Sequence, residues 1–307
     1  MVKKLDGKIV IGIASSALFD LAASDAVFTS KGPAAYKRYQ ERHIDKVLEP
    51  GVAFPFIRRF LRLNQIFPEQ QPVEVILFSH NSPETGLRVF RSIRHYGLDI
   101  TRGSFFPGGE FYDFLPVFNV SLFLSGNEND VRESIKRGHP AGLVIGSKVD
   151  DSAGDDELRI AFDFDGVIAD DAAEQVYKER GLDEFQVSEQ KSAAVAHESG
   201  PLARLVRQLM AIRQLEVAAE AADRTYRRFI KTAIITARCA PAHERVATTL
   251  RAWGIEIDYA FFLGGLAKKP VLEKLRPHLY FDDQIAHLEG VDGVPLVHVP
   301  FGRLNEK

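Results

Sequence analysis

Two aspartates one residue apart, Asp163 and Asp165 in RIAFDFDGVIADD, close a short apolar run and open a glycine turn. Carboxylates in such a place can ligate a hard cation, attack an electrophile or move a proton. Downstream, TAIIT ends in the hydroxyl of Thr236 and HLYFDD ends in Asp282 and Asp283. Between them GGLAKKP offers Lys268 and Lys269 just after a Gly-Gly turn. Taken singly each signal is weak, because acidic residues after a strand are common turn and helix-capping residues. Four in order, each at the end of an element, form a constellation.

The elements that must position these groups follow from the apolar pattern. Short β-branched runs occur at Ile9 to Ala14, Val75 to Ser79, Ser121 to Ser125, Leu143 to Ile145, Arg159 to Asp163, Thr232 to Thr236, His278 to Phe281 and Pro295 to Val299. Runs this short, bounded by polar or small residues, predict buried parallel strands. Helical stretches such as Pro83 to Tyr96, Asp130 to Lys136, Leu202 to Arg228 and Pro241 to Trp253 alternate with them. The expected class is α/β with parallel sheets, in two Rossmann-like units. In such sheets ligands meet the carboxyl ends of the strands, where all four signals fall.

The four elements resemble the signature of haloacid dehalogenase-type phosphatases over about Arg159 to Gly302. That resemblance implies phosphoryl transfer, in which a carboxylate can attack a phosphate monoester only if cations neutralise its oxygens. Three acidic groups converging at strand ends suit Mg²⁺, which prefers oxygen ligands. By resemblance Asp163 is nucleophile and metal ligand, Asp165 is general acid and base and lends its backbone carbonyl to the metal, and Asp282 completes the protein's ligands. Asp283 would support a metal-bound water or pair with Lys268. Thr236 would donate to the phosphoryl group and Lys268 would supply fixed positive charge; it is chosen over Lys269 on its spacing from the Gly-Gly turn. Arg238, just after Thr236, is a further candidate for phosphate or base. The 66 residues between Ala169 and Thr236 are too many for a loop and predict a helical cap at about 170–230.

An acidic, Gly/Ser-containing stretch at Gly146 to Glu157 divides the chain near its midpoint, giving expected domains at 1–150 and 158–307. At an offset of 157 residues, Ser79 meets Thr236, Arg88 meets Arg245, Val89 meets Val246, Arg94 meets Arg251 and Gly97 meets Gly254. After a one-residue shift, Phe105-Phe106 and Gly108-Gly109 meet Phe261-Phe262 and Gly264-Gly265. This pattern predicts an internal duplication. In the first copy Ala14 and Ser16 fall opposite Asp163 and Asp165, and Ser125 opposite Asp282, so it lacks a nucleophile and a metal site. It keeps hydroxyls and amides at its strand ends, among them Ser15, Ser79 and Asn81. Ser79 and Asn81 are therefore candidate substrate contacts if this half forms part of a nucleoside pocket, and scaffold if it does not.

Further segments, among them GIASSALFDL, TSKGPAAYKRYQERH, FSHNSPETGLRVFRSIRHYGLDITRGSFFPGG and RPHLYFDDQIAHLEG, look like those of the cytosolic 5'-nucleotidase family, type I enzymes included. The resemblance spans nearly the whole chain and implies hydrolysis of nucleoside 5'-monophosphates of the AMP or IMP type. A sugar-phosphate or other small-metabolite phosphatase, or a nucleotide-binding regulator without turnover, are the alternatives. Composition agrees with a small-molecule partner. A formal net charge of −3 and a pI near 6.3 give no basic field for nucleic acid. The single cysteine, Cys239, excludes a disulfide framework. The run Ile9 to Ala14 is too short for a signal segment and nothing approaches a membrane span, so a cytoplasmic location is expected. A homo-oligomer is left open.

Overall fold

The computed structural model describes residues 5–146, 151 and 154–305. Half of the predicted linker, residues 147–150 and 152–153, lies outside the described residues, as do the outer ends of the two expected domains. The chain forms two compact units, Met1–Asp151 and Ser152–Lys307. Among the described residues no helix is long and apolar enough to cross a membrane.

The first unit runs β1 (Ile9–Ala14), α1 (Ser15–Leu18), α2 (Ala22–Arg42), α3 (Phe54–Ile66), β2 (Val73–Ser79), α4 (Leu87–His95), β3 (Arg102–Phe105), β4 (Val120–Ser125), α5 (Glu128–Lys136) and β5 (Ala141–Ile145). Its strands lie in the order β3-β2-β1-β4-β5, and every pair is parallel. Strands β1, β2 and β4 are buried along their whole length, as continuous apolar runs covered by helices should be. Burying side chains such as Ile11, Ile13, Phe78 and Phe123 contributes about 1.5–3 kcal/mol each.

The second unit runs β6 (Leu158–Phe162), α6 (Ala172–Lys191), α7 (Ala203–Ala222), β7 (Ile230–Thr236), α8 (His243–Ala252), β8 (Tyr259–Phe262), α9 (Lys269–Leu275), β9 (Leu279–Asp282), α10 (Ile285–Leu288) and β10 (Leu296–His298). Its strands lie in the order β8-β7-β6-β9-β10, again all parallel. Because β6 is flanked by β7 and β9 and all three run the same way, Asp163, Thr236 and Asp282 emerge at one sheet edge. The edge strands β3 and β8 were missing from the runs picked out by apolar pattern. They are four residues long and partly exposed, so their faces carry no sustained apolar signal.

The helical insertion expected at about 170–230 is the pair α6 and α7, and the first unit carries α2 and α3 at the corresponding place. The insertion is thus a feature of both units. Helix α2 bends at Gly32 (φ 76°, ψ 179°) and α6 at Gly181 (φ 82°, ψ −179°), a backbone conformation that is essentially restricted to glycine.

Where the second unit has Asp282, the first has Ser125, whose hydroxyl donates to buried Asp130 at 3.2 Å. Tyr112 Oη donates to the same carboxylate, and His80 Nε2 lies 2.9 Å from it. The hydrogen bond to Asp130 raises the pKa of His80 above its ordinary 6.5. A group whose pKa is raised by folding stabilises fully below its unfolded value and loses that contribution as pH rises through the folded value. Unfolding titrations of the wild type and His80→Gln should therefore differ most near about pH 6 and converge in the alkaline range. A gap that widens with rising pH would contradict this pairing.

Candidate active site

The site is assembled at the carboxyl edge of β6, β7 and β9. Asp163 follows β6 and caps the turn at Phe164–Ile168, its Oδ1 accepting from the Phe164 amide at 2.7 Å. The turn needs Gly166, whose φ is +68° and whose added Cβ would lie 2.6 Å from the Asp283 carboxylate. Lys268 precedes α9 and is buried. Its ammonium lies 2.6 Å from Asp163 Oδ2 and donates to Asp282 Oδ2 at 2.7 Å. Lys269 points elsewhere and donates to the Gly290 carbonyl. Of the two lysines in GGLAKKP, Lys268 is the one in the cluster.

Asp282 is fully buried and saturated. Beyond Lys268 it accepts from Tyr280 Oη at 2.5 Å and from the Gln284 amide at 2.9 Å, and His287 Nδ1 lies 3.1 Å from Oδ1. Burial works against its charge, but Lys268 and His287 outweigh it and hold its pKa well below the carboxylate range. Asp163 shares the same lysine and shifts the other way. Its burial and the nearby Asp282 charge outweigh Lys268, because it collects only one further donor.

Asp283 is 2% exposed and neither of its carboxylate oxygens has a hydrogen-bond partner. Burial, then the charges of Asp163, Glu174 and Asp282, push its pKa up to about 9. Sequence reasoning gave Asp282 to the metal and left Asp283 as support or as the partner of Lys268. The geometry places Asp282 on Lys268 and leaves Asp283 open. An orphaned pair of buried carboxylate oxygens close to Asp163 fits a hard divalent cation. Asp163, Asp282 and His287 also bring one donor atom each within 4.8 Å of one another. A cation there would have to displace the existing partners of Asp282, so the open position is at Asp283.

Thr236 ends β7, is buried, and accepts from the Arg238 amide at 3.3 Å. Arg238 does not face open space. Its Nε and Nη2 donate to the two oxygens of Asp165, each at 2.7 Å, and its Nη1 donates to Glu189 on α6. The guanidinium carbon lies 5.2 Å from the Phe164 ring centre and 5.4 Å from that of Phe185. Glu189 also receives Arg245 at 2.7 Å and sits 3.2 Å from His197 Nε2. Against its burial, His197 and Arg238 hold Glu189 down at about 2. Ser79 and Asn81 make their hydrogen bonds within the first unit: Ser79 Oγ accepts from the Asn81 amide and lies 3.5 Å from Ser15 Oγ, and Asn81 Oδ1 accepts from Tyr36.

Several residues around this cluster went unread in the sequence. Tyr280 carried a usable signal, since residues two apart on a strand share a face with each other, and it precedes Asp282 by two. Glu174, whose Oε2 is buried without a partner, and Glu189 reach the site from α6, the helix that follows the Asp163 turn.

The sequence pattern of the 5'-nucleotidase family matches residues 1–306. The chain belongs to the 5'-nucleotidase family. Among curated relatives, human cytosolic 5'-nucleotidase 1B is 33% identical over 288 residues, covering 92% of this chain and 47% of that protein. The chain thus spans about half the length of that relative. No solved structure matches. For a 5'-nucleotidase family member, the candidate residues Asp163, Asp165, Thr236, Lys268, Asp282 and Asp283 gather at one sheet edge.

The Arg238 cluster generates a stability prediction. Arg238→Met leaves Glu189 and Asp165 without their shared cation, in a setting where breaking a buried pair costs about 3–5 kcal/mol. Denaturant unfolding should register a loss of that order. A loss under about 1 kcal/mol would show that the pairing contributes little.

Proposed function

We propose that this chain is a Mg²⁺-dependent phosphatase that hydrolyses nucleoside 5'-monophosphates to nucleoside and phosphate, built as a duplicated haloacid dehalogenase-type fold with its chemistry in the second copy. The observation that carries this reading is the buried set of Lys268 between Asp163 and Asp282, with the unpaired Asp283 carboxylate beside it. Duplication is supported by the shared strand order, the matching bends at Gly32 and Gly181, and the matching chain crossings at Phe19 with Pro50 and at Ala169 with Ser199.

Mg²⁺ would be held by the side chains of Asp163 and Asp283 and the backbone carbonyl of Asp165. When bound it supplies positive charge to the phosphoryl oxygens. Lys268 adds a fixed charge and holds Asp163 in position, and Thr236 offers its hydroxyl to the phosphoryl group. An Asp163 carboxylate oxygen attacks phosphorus, the bond from phosphorus to the 5' oxygen breaks, and that oxygen leaves with the electron pair. Asp165 gives it a proton. Asp165 then takes a proton from water, which attacks the aspartyl phosphate, restoring the Asp163 carboxylate and releasing phosphate. In the geometry described above both Asp165 oxygens accept from Arg238, so substrate binding has to turn the carboxylate out of that grip before it can deliver a proton.

Two experiments test these assignments. Mg²⁺ that binds only the folded chain raises its melting temperature. The wild type should show that rise, and Asp283→Asn should lose it while melting no lower than wild type in excess chelator, because an unpaired buried carboxyl group has gone. A full Mg²⁺ shift in Asp283→Asn would remove this residue from the metal site.

The second experiment separates the two aspartates. Asp163→Asn should abolish hydrolysis of every substrate. Asp165→Asn should still be phosphorylated by an activated aryl phosphate, whose leaving group needs no proton, giving a burst of up to about one equivalent of phenolate followed by slow turnover. It should release little nucleoside from AMP. Normal AMP turnover in Asp165→Asn would refute the acid and base role.

A further inference from the structure

The parallel edge of the first unit opens into a cavity of about 1090 Å³ lined entirely by residues of that unit. It occupies the place in its own sheet that the carboxylate cluster occupies in the second unit, but its chemistry is different. Ala14 stands where Asp163 does. Ser125 stands where Asp282 does, and Tyr112 falls on Lys268 in the register that aligns Phe105-Phe106 with Phe261-Phe262. The proposed nucleophile, the carboxylate partner of Lys268 and the fixed cation are thus all replaced by neutral groups.

The cavity lining disfavours a phosphate ligand. Four carboxylates line the cavity, Asp25, Glu110, Glu128 and Asp130, against Lys37 and His80. Both cations are already engaged, Lys37 with Glu84 at 2.8 Å and His80 with Asp130 at 2.9 Å. Glu110 and Glu128 are in turn paired with Arg137 and Arg132, so a dianion would find no disengaged cation among the lining residues. Hydroxyls and amides supply the remaining polar surface. Ser15, Ser79 and Asn81 lie at the strand ends and can both donate and accept. Beside them Phe28, 52% exposed, sits edge-to-face with Tyr36 at 5.7 Å and gives a flat apolar wall. Tyr36 in turn donates to Asn81, tying that wall to the polar floor.

We infer that this cavity is a second, non-hydrolytic binding site that takes a neutral, hydroxylated ring compound of the nucleoside class. The hydroxyls would meet Ser15, Ser79 and Asn81, and the ring would lie against Phe28 and Tyr36. Such a ligand is the uncharged product of the reaction proposed above, so the first unit would respond to product while the second consumes the charged substrate. The binding claim itself rests only on the first unit.

Hydrogen–deuterium exchange on the full chain carrying Asp163→Asn tests it, with adenosine, AMP and inorganic phosphate as separate probes. Adenosine should slow exchange in the segments at 79–82 and 126–130, and inorganic phosphate should not. In calorimetry Phe28→Ala should weaken this adenosine binding about tenfold, and in the otherwise native chain it should leave nucleotide turnover unchanged. Adenosine protection confined to the segments around 163–170 and 236–240 would overturn the site. Phosphate protection at 79–82 as strong as that by adenosine would overturn the neutral-ligand assignment. Loss of nucleotide turnover in the native chain with the 79–82 protection intact would instead count against the proposed reaction and leave this site standing.

Discussion

One ammonium group buried among carboxylates sets the terms for the second unit. Lys268 is the cation between Asp163 and Asp282, and Asp283 is buried nearby with no partner. Like charges gathered out of water cannot all ionise without compensation. The first charge is settled by Lys268 together with Tyr280 and His287, and it falls on Asp282. The remainder appears as the upward shifts of Asp163 and Asp283. A site left short of positive charge, with oxygen atoms as its donors, is complementary to a hard cation and to little else.

The first unit shows that the frame does not depend on that cluster. Its sheet has the same strand order around buried β1, β2 and β4, and its strand ends carry hydroxyls. At the end of β4 the polarity is exchanged: Ser125 donates to Asp130, whereas at the end of β9 Asp282 pairs with His287. In both cases the residue two beyond the strand end offers its amide to the strand-end side chain, Asn127 to Ser125 and Gln284 to Asp282. A turn that satisfies its backbone through either a hydroxyl or a carboxylate accommodates both, and the same strand order forms with or without the charges.

What was legible in the sequence follows from the same physics. Buried parallel strands announce themselves as continuous apolar runs, and the strand ends locate the acidic residues, so Asp163, Asp165, Thr236 and Asp282 could be placed at one edge. The short edge strands escaped the apolar pattern, because half-exposed segments such as Tyr259–Phe262 carry no core signal. So did the split between Asp282 and Asp283. Alternation puts neighbours on opposite faces, but which face meets Lys268 depends on where α9 packs, and that is a tertiary fact. Arg238 was read as a group for phosphate or base. Its pairing with Asp165 and Glu189 could not be read there, because Glu189 lies 49 residues away in the chain and leaves no local trace.

That pairing has an electrostatic consequence for the candidate reaction. A phosphate monoester brings negative charge to a cluster already rich in it, and each ionised carboxylate that faces it raises the barrier to entry. Arg238 neutralises Asp165 through two parallel hydrogen bonds, and it is itself held by Glu189 and bracketed by Phe164 and Phe185. Its position is therefore fixed while that of Asp165 is the more adjustable, since Asp165 is the partner with solvent exposure, 16% against 2%. In the reaction proposed above, a substrate that took a proton from Asp165 would compete with Arg238 for the carboxylate and would uncover the charge of the guanidinium. Under that reaction, the contact that holds Asp165 before binding would free a cation once the carboxylate turned away, and the availability of Asp165 would follow the presence of a ligand.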